Sequence, residues 1–325
     1  MSKSMKSLFK KVAITVGDIR GVGLEVAAKA LLKIPPSIRK NRAVFILFRH
    51  ESQSRLQPQY FRLLDKKWNR VVVTSLADAL SFLNEHRPLS DNTLIDLALT
   101  SHEGEWVLVA AEACARGDLT SLVTGPISKE ITRRLPAKPV GHTGIFRNLF
   151  PDSKLHMGFV GKSFNILLAT DHVALSAVEP QLLAGAFESA LESAKLFKKL
   201  LKDRRKIAVL GLNPHAGEKG IIGNCEADLF RKLPSAFSGP LVPDAAFLKK
   251  NWKTYSLYLC LYHDQGLIPF KLVHGQDSGV HITLGLPFLR TSVDHGTAED
   301  IFNKNVANHA SMLEAIQLNL QLAGV

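Results

Sequence analysis

Three histidines in the sequence each follow an apolar, strand-like stretch. His172 stands in "LLATDHVAL", His215 in "LGLNPHAGEKG" and His263 in "LCLYHDQG". The carboxyl ends of parallel strands meet at one edge of a sheet, where ligands bind. Imidazoles brought to such an edge, with coordination positions left open, are typical of a catalytic metal centre. We therefore predict that the three histidines ligate one metal ion, although each alone is more often a hydrogen-bonded structural residue.

The type of metal follows from the ligand chemistry. Imidazole nitrogens suit zinc, cobalt, nickel or iron better than magnesium, which prefers oxygen ligands. Asp171 and Asp264 adjoin two of the histidines and are candidates to orient or supplement them. Because adjacent residues of a strand point to opposite faces, a cap or a turn hydrogen bond is an equally good interpretation of both carboxylates.

A second group of motifs is typical of an anion-binding site. It comprises "VTGPISKE" at 123–130, "GHTG" at 141–144, Lys271, and "ITLGLPFLRTSVDHGTAEDI" at 282–301, which contains Arg290. Backbone amides at the start of a helix bind phosphate together with Lys and Arg side chains. A single Lys or Arg on a surface loop is usually only a solvated charge. The occurrence of several such motifs in one chain, together with the histidines, is what predicts a small anionic substrate.

The elements that must position these residues alternate along the chain. Strand-like runs are "VAITV", "AVFILF", "RVVVT", "SLVTG", "FNILLAT", "KIAVLGLN" and "LYLCLYHD", whereas "EVAAKALLKI", "EWVLVAAEACARG" and "QLLAGAFESALESAKLFKKLLK" have helical periodicity. This alternation predicts an α/β protein with a largely parallel sheet.

The domain organisation is predicted from length and from one proline- and glycine-containing stretch. A chain of 325 residues favours about two domains. The stretch "RRLPAKPVGHTG" at 133–144 is the best candidate for a crossing between them, and an amphipathic helix near 306–322 is expected to pack back onto the first domain. We therefore predict a discontinuous first α/β domain (1–132 plus 300–325) and a second α/β domain (133–299) that carries most metal and substrate residues.

Composition and charge exclude several functional classes. The net charge is +12, but basic clusters such as "FKKLLKDRRK" lack interleaved aromatic residues and indicate a solvated helix end rather than a nucleic-acid site. Cys114, Cys225 and Cys260 are far apart and predict neither disulfides nor a thiolate zinc site. The sequence has neither a signal peptide nor an apolar run that could span a membrane, so we expect a cytoplasmic protein with no membrane partner.

The stretch "KVAITVGDIRGVGLEVAAKAL" at 11–31 runs from a strand-like segment through three glycines into a helical pattern, so it is a candidate for a dinucleotide-binding turn. A Rossmann turn needs a third glycine, which lets helix and strand pack closely. In this chain Gly21 and Gly23 match the first two glycines of G-x-G-x-x-G, but Val26 occupies the position of the third. The residues therefore favour a glycine-rich strand-to-helix turn that needs positive φ over a Rossmann fingerprint.

Seven motifs occur in one order along nearly the whole chain: "ITVGDIRGVGLE", "VTGPISK", "GHTG", "GLNPHAGEKGIIG", "GPLVPDAAF", "YHDQGLIPFK" and "ITLGLPFLRTSVDHGTA". The set resembles the 4-hydroxythreonine-4-phosphate dehydrogenases, the PdxA enzymes of pyridoxal phosphate (vitamin B6) biosynthesis. The resemblance implies an isocitrate and isopropylmalate dehydrogenase-like fold, in which two α/β domains flank a cleft. It also implies a homodimer with active sites at the subunit interface and metal ligands from both subunits. The turn at 17–25 resembles the "PGDGIGPE" element of that superfamily.

The resemblance also implies a role for individual residues. Its divalent metal ligands, one ion of zinc, cobalt or magnesium per subunit, fall on His172, His215 and His263. Its substrate contacts fall on His142, Thr143, Lys271, His281 and Arg290, and proton transfer on Lys271 or Asp244, between which the sequence does not choose. The loop His295, Gly296, Thr297 and Ala298 is similar to the superfamily's nicotinamide-dinucleotide loop and implies NAD, with NADP as an alternative.

The implied reaction is oxidation of a phosphorylated hydroxy acid followed by loss of CO₂. In the family, 4-phosphooxy-L-threonine (4-hydroxythreonine 4-phosphate) is oxidised with NAD⁺ and decarboxylated to 3-amino-2-oxopropyl phosphate. A Lewis-acidic metal favours the alkoxide from which hydride leaves, and a cation stabilises the enolate that forms when CO₂ is lost.

Several positions depart from the family's pattern. The family has proline where this chain has Val16, Ile19 and Leu24, an acidic residue at Gly144, threonine at Asp171 and asparagine at His281. Two alternatives therefore stay open. One is a dehydrogenase of a four-carbon sugar-acid phosphate such as erythronate or threonate 4-phosphate, and the other is a non-catalytic ligand-binding paralogue. A substrate panel tests the first, and metal content tests the second.

His281 carries its own prediction. Contact with an anionic substrate favours the protonated imidazole, whose ordinary pKa lies in the working range. We expect kcat/KM to fall as pH rises through about 6 to 8 in a manner that His281→Asn abolishes. The alternative is that His281 points away from substrate and only packs.

Overall fold

The chain forms two compact units in the computed structural model, which describes residues 9–39, 42–85, 92–275 and 278–325. Unit 1 consists of Met1–Ser153 and Leu286–Val325, and unit 2 of Lys154–Gly285. The boundaries expected from sequence, after residue 132 and before residue 300, both fall inside unit 1. The stretch 133–144 leads into a helix of unit 1 that packs beside the helix Glu103–Arg116.

The strands, in chain order, are β1 (Lys10–Thr15), β2 (Ala43–His50), β3 (Asn69–Val73), β4 (Thr93–Leu99), β5 (Ser121–Thr124), β6 (His156–Val160), β7 (Ile166–Leu168), β8 (Lys206–Leu210), β9 (Phe237–Leu241), β10 (Tyr255–Cys260), β11 (Val280–Leu284) and β12 (Leu289–Ser292). The predicted strand-like runs coincide with β1, β2, β3, β5, β7, β8 and β10. The sequence patterns did not predict β4, β6, β9, β11 or β12.

The helices are α1 (Gly23–Lys33), α2 (Pro36–Arg39), α3 (Gln53–Leu56), α4 (Pro58–Asp65), α5 (Leu76–Glu85), α6 (Glu103–Arg116), α7 (Lys129–Thr132), α8 (Gly141–Leu149), α9 (Val178–Gln181), α10 (Phe187–Leu200), α11 (Cys225–Leu229), α12 (Pro243–Ala246), α13 (His263–His274) and α14 (Ala310–Ala323). Across the described residues, no helix has the length and apolarity needed to span a bilayer.

Unit 1 contains a parallel array of strands in the order β3-β4-β2-β1-β5-β12. Strands β1, β2, β4 and β5 are almost entirely buried, as expected where helices cover both faces of a parallel sheet. Helix α14 packs on this array, where Thr291 Oγ1 donates to the carbonyl of Ala315 at 2.9 Å and Asn319 Nδ2 donates to the carbonyl of Leu122 at 3.2 Å. The predicted packing of the last helix against the first lobe is confirmed.

Unit 2 contains strands in the order β11-β6-β7-β10-β8-β9. From β7 to β9 the strands are parallel, whereas β6 runs antiparallel to both of its neighbours. Aromatic and aliphatic side chains from these strands, from the connection between β6 and β7 and from α13 form the core, including Phe159, Phe164, Tyr258 and Phe270. The sheet is therefore largely parallel, as predicted, with β6 as the exception.

The turn after β1 depends on two close backbone approaches. Gly17 has a φ of +79°, and a Cβ there would lie 1.9 Å from the carbonyl oxygen of Pro126. A Cβ at Gly23 would lie 1.6 Å from the carbonyl oxygen of Val16. Only glycine fits either position, so the turn is the glycine-rich strand-to-helix connection that the residues favoured.

Candidate active site

The three histidines predicted as metal ligands follow neighbouring strands of unit 2. His172 comes after β7, His215 after β8, and His263 begins α13 directly after β10. Strand β10 lies between β7 and β8, and all three are parallel. The structure therefore brings the carboxyl ends of these strands together at one edge of the sheet, as the sequence predicted.

Gln265 ties two of these strand ends to each other. Its side chain is buried, and its Oε1 accepts a hydrogen bond from the backbone N–H of Leu261 at 2.7 Å. Its Nε2 donates to the carbonyl of Gly211 at 2.8 Å. This amide fixes the segment that leads into His215 relative to the segment that leads into His263.

His172 and His263 lie side by side. Their ring centroids are 5.1 Å apart, and both rings line a cavity of about 230 Å³. Nδ1 of His263 donates to a carboxylate oxygen of Asp264 at 2.7 Å, which leaves the lone pair of Nε2 available as a ligand. Two adjacent imidazoles, one of them oriented by a carboxylate, fit a divalent metal ion.

The two aspartates beside these histidines have different roles. Asp264 orients His263 through the hydrogen bond to Nδ1. Asp171 Oδ1 accepts from the backbone N–H of His172 at 2.7 Å, which is a local turn hydrogen bond. Both expectations for these carboxylates are thus met, orientation at Asp264 and a turn hydrogen bond at Asp171.

His215 occupies a left-handed turn apart from this pair. Residues 215–220 all have positive φ, between 43° and 95°. Non-glycine residues adopt this conformation at a cost of roughly 1–2 kcal/mol each. Within residues 9–39, 42–85, 92–275 and 278–325, no three His, Cys, Asp or Glu side chains converge closely enough to hold one metal ion. A single chain in this conformation therefore presents the pair without the third predicted ligand.

Glu226 of α11 contacts the segment before the left-handed turn. Its Oε1 accepts from the backbone N–H of Asn213 at 2.7 Å, and its Oε2 accepts from Asn213 Nδ2 at 3.0 Å. Burial raises the pKa of the Glu226 carboxyl, but the hydrogen bonds from Asn213 outweigh burial and hold the pKa below its usual value. Glu226 is therefore an anion at neutral pH.

In unit 1, His142 and Thr143 lie in the first turn of α8, near the buried Arg290 of β12. Arg290 is 1% exposed, its Nε donates to Thr124 Oγ1 at 3.1 Å, and its guanidinium lies 5.4 Å from the ring centroid of Phe146. Helix α8 begins at Gly141, whose N–H donates to Thr132 Oγ1 at 3.1 Å. The N-cap residue Val140 makes no side-chain cap, so the following amides of the first turn are suited to an anion.

The charge states of this cluster are set by burial. Burial lowers the pKa of Arg290 to about 9, so the guanidinium stays charged at neutral pH. Burial and the charge of Arg290 together hold the pKa of His142 well below its usual value, so the imidazole is neutral. His142 Nε2 is buried without a hydrogen-bond partner among the residues the structure describes. The cluster thus offers one cation and one neutral imidazole to an anionic ligand.

Lys271 and Asp244, the alternatives for proton transfer, are both exposed on unit 2. Lys271 lies in the last turns of α13, and Asp244 in the first turn of α12. Both side chains are accessible to a ligand.

The loop from His295 to Ala298 contacts the turn after β1. The carbonyl of Thr297 accepts from the backbone N–H of Val22 at 2.9 Å, and His295 Nδ1 donates to the carbonyl of Gly296 at 2.9 Å. His295 Nε2 is buried and has no hydrogen-bond partner among the described residues. It is therefore positioned to accept a hydrogen bond from a bound molecule.

A cavity of about 750 Å³ in unit 1 is lined by residues of the turn after β1 and by Glu299 and Phe302, which follow the loop in sequence. Its basic groups are Arg20 and Arg134. Its acidic groups include Asp18 of the turn, Glu103 at the start of α6 and Glu299, which directly follows Ala298. Asp18 and Glu299 lie inside the motifs "GDIRG" and "TAEDI", but no pattern in the sequence predicts a role for either residue. Glu103 lies outside every motif and had no local signal.

His281 is 7% exposed, and its ring stacks on Phe159 of β6 with centroids 5.1 Å apart.

We expect His281→Asn to lower the free energy of unfolding by about 1 kcal/mol, because an amide cannot replace the stacked ring. Denaturant unfolding of both proteins measures this difference. Equal unfolding midpoints and slopes would contradict a packing role, and the pH dependence of kcat/KM stays a separate prediction.

Comparison with known proteins places these observations in one family. A profile described as "Pyridoxal phosphate biosynthetic protein PdxA" matches residues 95–319. The chain is 32% identical over 333 residues to a 4-hydroxythreonine-4-phosphate dehydrogenase of a Sulfurihydrogenibium species, covering 97% of this chain and 99% of that protein. The chain belongs to the PdxA family. The predicted resemblance is confirmed.

Two further PdxA relatives extend the comparison. A 4-hydroxythreonine-4-phosphate dehydrogenase of Desulfosudis oleivorans is 38% identical over 231 residues, which cover 67% of each chain. The crystal structure of the enzyme of that name from Burkholderia phymatum superposes with a TM-score of 0.74 at 27% identity, covering 97% of this chain and 98% of that one. The predicted α/β fold class is confirmed.

Proposed function

We propose that this PdxA-family protein oxidises 4-phosphooxy-L-threonine with NAD⁺ and decarboxylates the product to 3-amino-2-oxopropyl phosphate. The observation that carries the proposal is the adjacent pair His172 and His263 at the ends of neighbouring parallel strands. The names of the relatives in the family support the same reaction.

The metal ligands in this proposal are His172, His263 and His215. Zinc or cobalt suits this donor set better than magnesium does. When bound, the metal supplies a Lewis acid that lowers the pKa of the substrate hydroxyl and stabilises negative charge on the same oxygen after CO₂ is lost. Asp264 holds the imidazole of His263 with Nε2 available for coordination.

The substrate's phosphate is assigned to the cluster around Arg290. Its guanidinium is charged and buried, and a planar fork of N–H donors is suited to phosphate oxygens. The neutral imidazole of His142 and the hydroxyl of Thr143 supply further donors without adding charge. These residues bind and orient the substrate.

Proton transfer in the reaction requires one base step and one acid step. A proton leaves the C3 hydroxyl as the hydride passes to NAD⁺, and a proton is added at C2 after the carboxylate leaves as CO₂. Because the two steps balance, one side chain can take up and return the same proton. Lys271 and Asp244, both exposed, are the candidates for this role.

His281 is proposed as a further substrate contact.

The cofactor is assigned to the loop His295–Ala298 and the adjoining cavity of unit 1. NAD⁺ supplies the hydride acceptor. The buried Nε2 of His295 and the carboxylates of Asp18 and Glu299 offer acceptors for amide and ribose hydroxyl groups. The cavity is lined by four carboxylates and by the guanidinium groups of Arg20 and Arg134. Because the carboxylates outnumber the cations, the lining suits ribose hydroxyl groups better than a 2′-phosphate, and we propose NAD rather than NADP.

A substrate panel tests the proposed reaction. Purified protein loaded with Zn²⁺ or Co²⁺ is assayed for NAD⁺ reduction with 4-phosphooxy-L-threonine and with erythronate and threonate 4-phosphate. The proposal predicts the highest kcat/KM for 4-phosphooxy-L-threonine. A preference for either sugar-acid phosphate, or no turnover of any of the three, would contradict it.

We also propose that the protein is a homodimer, as the family resemblance implies. Unit 2 exposes large apolar side chains near the histidine pair and on α13. Leu175, which lines the same cavity as His172 and His263, is 71% exposed, and Ile268 and Leu272 of α13 are 64% and 85% exposed. Exposed apolar side chains of this size are typical of an interface. A second copy of the chain is the occupant that would supply the metal ligand missing from the pair.

The dimer prediction is tested on α13. Ile268 and Leu272 lie one helical turn apart on the same face. We expect Ile268→Asp/Leu272→Asp to convert the dimer to a monomer, because two carboxylates would be buried at the interface. Light scattering gives the mass, and Val306→Asp, at an exposed apolar position of unit 1, is the matched control. A wild-type monomer, or a double variant that stays fully dimeric, would contradict the assignment.

A further inference from the structure

The left-handed turn that carries His215 is not the conformation that its residue types prefer. His215, Ala216, Glu218 and Lys219 have φ values of 52°, 54°, 43° and 56°. Side chains with a Cβ avoid this region, so contacts from outside the turn contribute to its stability besides the bonds within it. Backbone hydrogen bonds close both halves of the turn, from the Ala216 N–H to the carbonyl of Asn213 at 3.0 Å and from the Ile222 N–H to the carbonyl of Gly217 at 3.1 Å.

Glu226 supplies those contacts on both sides of His215. Its two oxygens accept from the backbone N–H and the side-chain amide of Asn213, two residues before His215. Two residues after His215, a Cβ at Gly217 would lie 2.7 Å from Glu226 Oε2, so this carboxylate fills the space directly beneath the turn. Glu226 is 6% exposed, and its position is fixed by burial.

We propose that Glu226 is a positioning residue that holds the turn in the conformation in which His215 binds the metal. The inference rests on the proposed function, in which His215 is a ligand, and it adds a residue of α11 to the machinery of that site. Glu226 acts through Asn213 and Gly217 and is not itself a ligand.

A carboxylate is required at this position because both of its oxygens accept. Glutamine has one accepting oxygen and one donating nitrogen, so Glu226→Gln keeps the bond from the Asn213 backbone and places two amide donors against each other. In the double variant Asn213→Asp/Glu226→Gln, the amide nitrogen at position 226 donates to the carboxylate at position 213. The second hydrogen bond is therefore restored with donor and acceptor exchanged. The pair of variants therefore separates the hydrogen bond from the volume of the side chain.

Calorimetric titration with Zn²⁺ tests the proposal on metal-free dimeric protein at a temperature at which every variant is folded. We expect Glu226→Gln to weaken the Kd about 10- to 100-fold, as loss of an outer positioning contact does at other metal sites. The double variant is expected to recover most of that loss. Asp228→Asn, which removes an exposed carboxylate from the same helix, is the matched control and is expected to leave Kd unchanged.

Two results would overturn the proposal, and they differ from each other. If wild type binds Zn²⁺ and Glu226→Gln binds it equally well, even with a lowered thermal midpoint, then Glu226 supports only the fold and the metal site itself stands. If wild type binds no Zn²⁺, the metal site fails together with the role of Glu226.

Discussion

Replacing His172 or His263 with alanine is expected to remove the bound metal and lower kcat/KM by about 10²- to 10³-fold, since a Lewis acid contributes several kcal/mol to charge stabilisation. The two rings are 5.1 Å apart, and loss of either leaves a single described ligand at that cavity. Metal content by elemental analysis and NADH formation are the two measurements.

His309→Ala is the control for this prediction, because His309 lies at the start of α14 in unit 1. It is expected to retain metal and activity. His215→Ala extends the test. If His215 completes the site in the assembled protein, its loss also removes the metal. Full metal retention in all three site variants would show that these histidines are not the ligands.

Replacing Arg290 with methionine is expected to raise the KM for the phosphorylated substrate by about 10²- to 10³-fold, the scale of removing one partner of a buried charge pair. The KM for NAD⁺ should not change. Methionine has a similar volume and leaves no buried charge behind, so the free energy of unfolding is expected to change little. This separates a binding role for Arg290 from a structural one.

Arg290→Lys is the matched variant, because lysine keeps the charge but not the planar fork that binds Thr124 and lies over Phe146. It is expected to have a KM between those of wild type and Arg290→Met. An unchanged substrate KM in Arg290→Met would mean that the phosphate binds elsewhere.

The placement of the histidines could be predicted because it depends on local patterns. Strands β7, β8 and β10 are short, mostly apolar runs, and polar turn residues follow each of them within three positions. Strand β4 could not be predicted from a local apolar pattern, because Asp96 interrupts its sequence "TLIDLAL" at the centre. Asp96 is fully buried and is paired with Arg49 at 2.7 Å and Arg70 at 2.6 Å. Those partners come from other strands, so nothing within β4 reveals that its charge is compensated.

The conformation of the His215 turn was also beyond local sequence reasoning. The motif "NPHAGEKGIIG" signals a turn, but four non-glycine residues in the left-handed region are not predicted by residue preference. The carboxylate that contacts this turn, Glu226, lies beyond the motif. The end of unit 1 near residue 153 was missed for a similar reason. The prolines and glycines at 133–144 lead into α8 rather than into a second unit.

Metal-dependent oxidative decarboxylation predicts a fixed stoichiometry of products, which tests the proposed reaction directly. Dimeric protein loaded with Zn²⁺ or Co²⁺ is incubated with NAD⁺ and 4-phosphooxy-L-threonine, and NADH and CO₂ are measured in the same samples. We predict equal amounts of NADH and CO₂, and no product from chelator-treated protein until metal is restored. NADH without CO₂, or full activity in the metal-free protein, would contradict the claim.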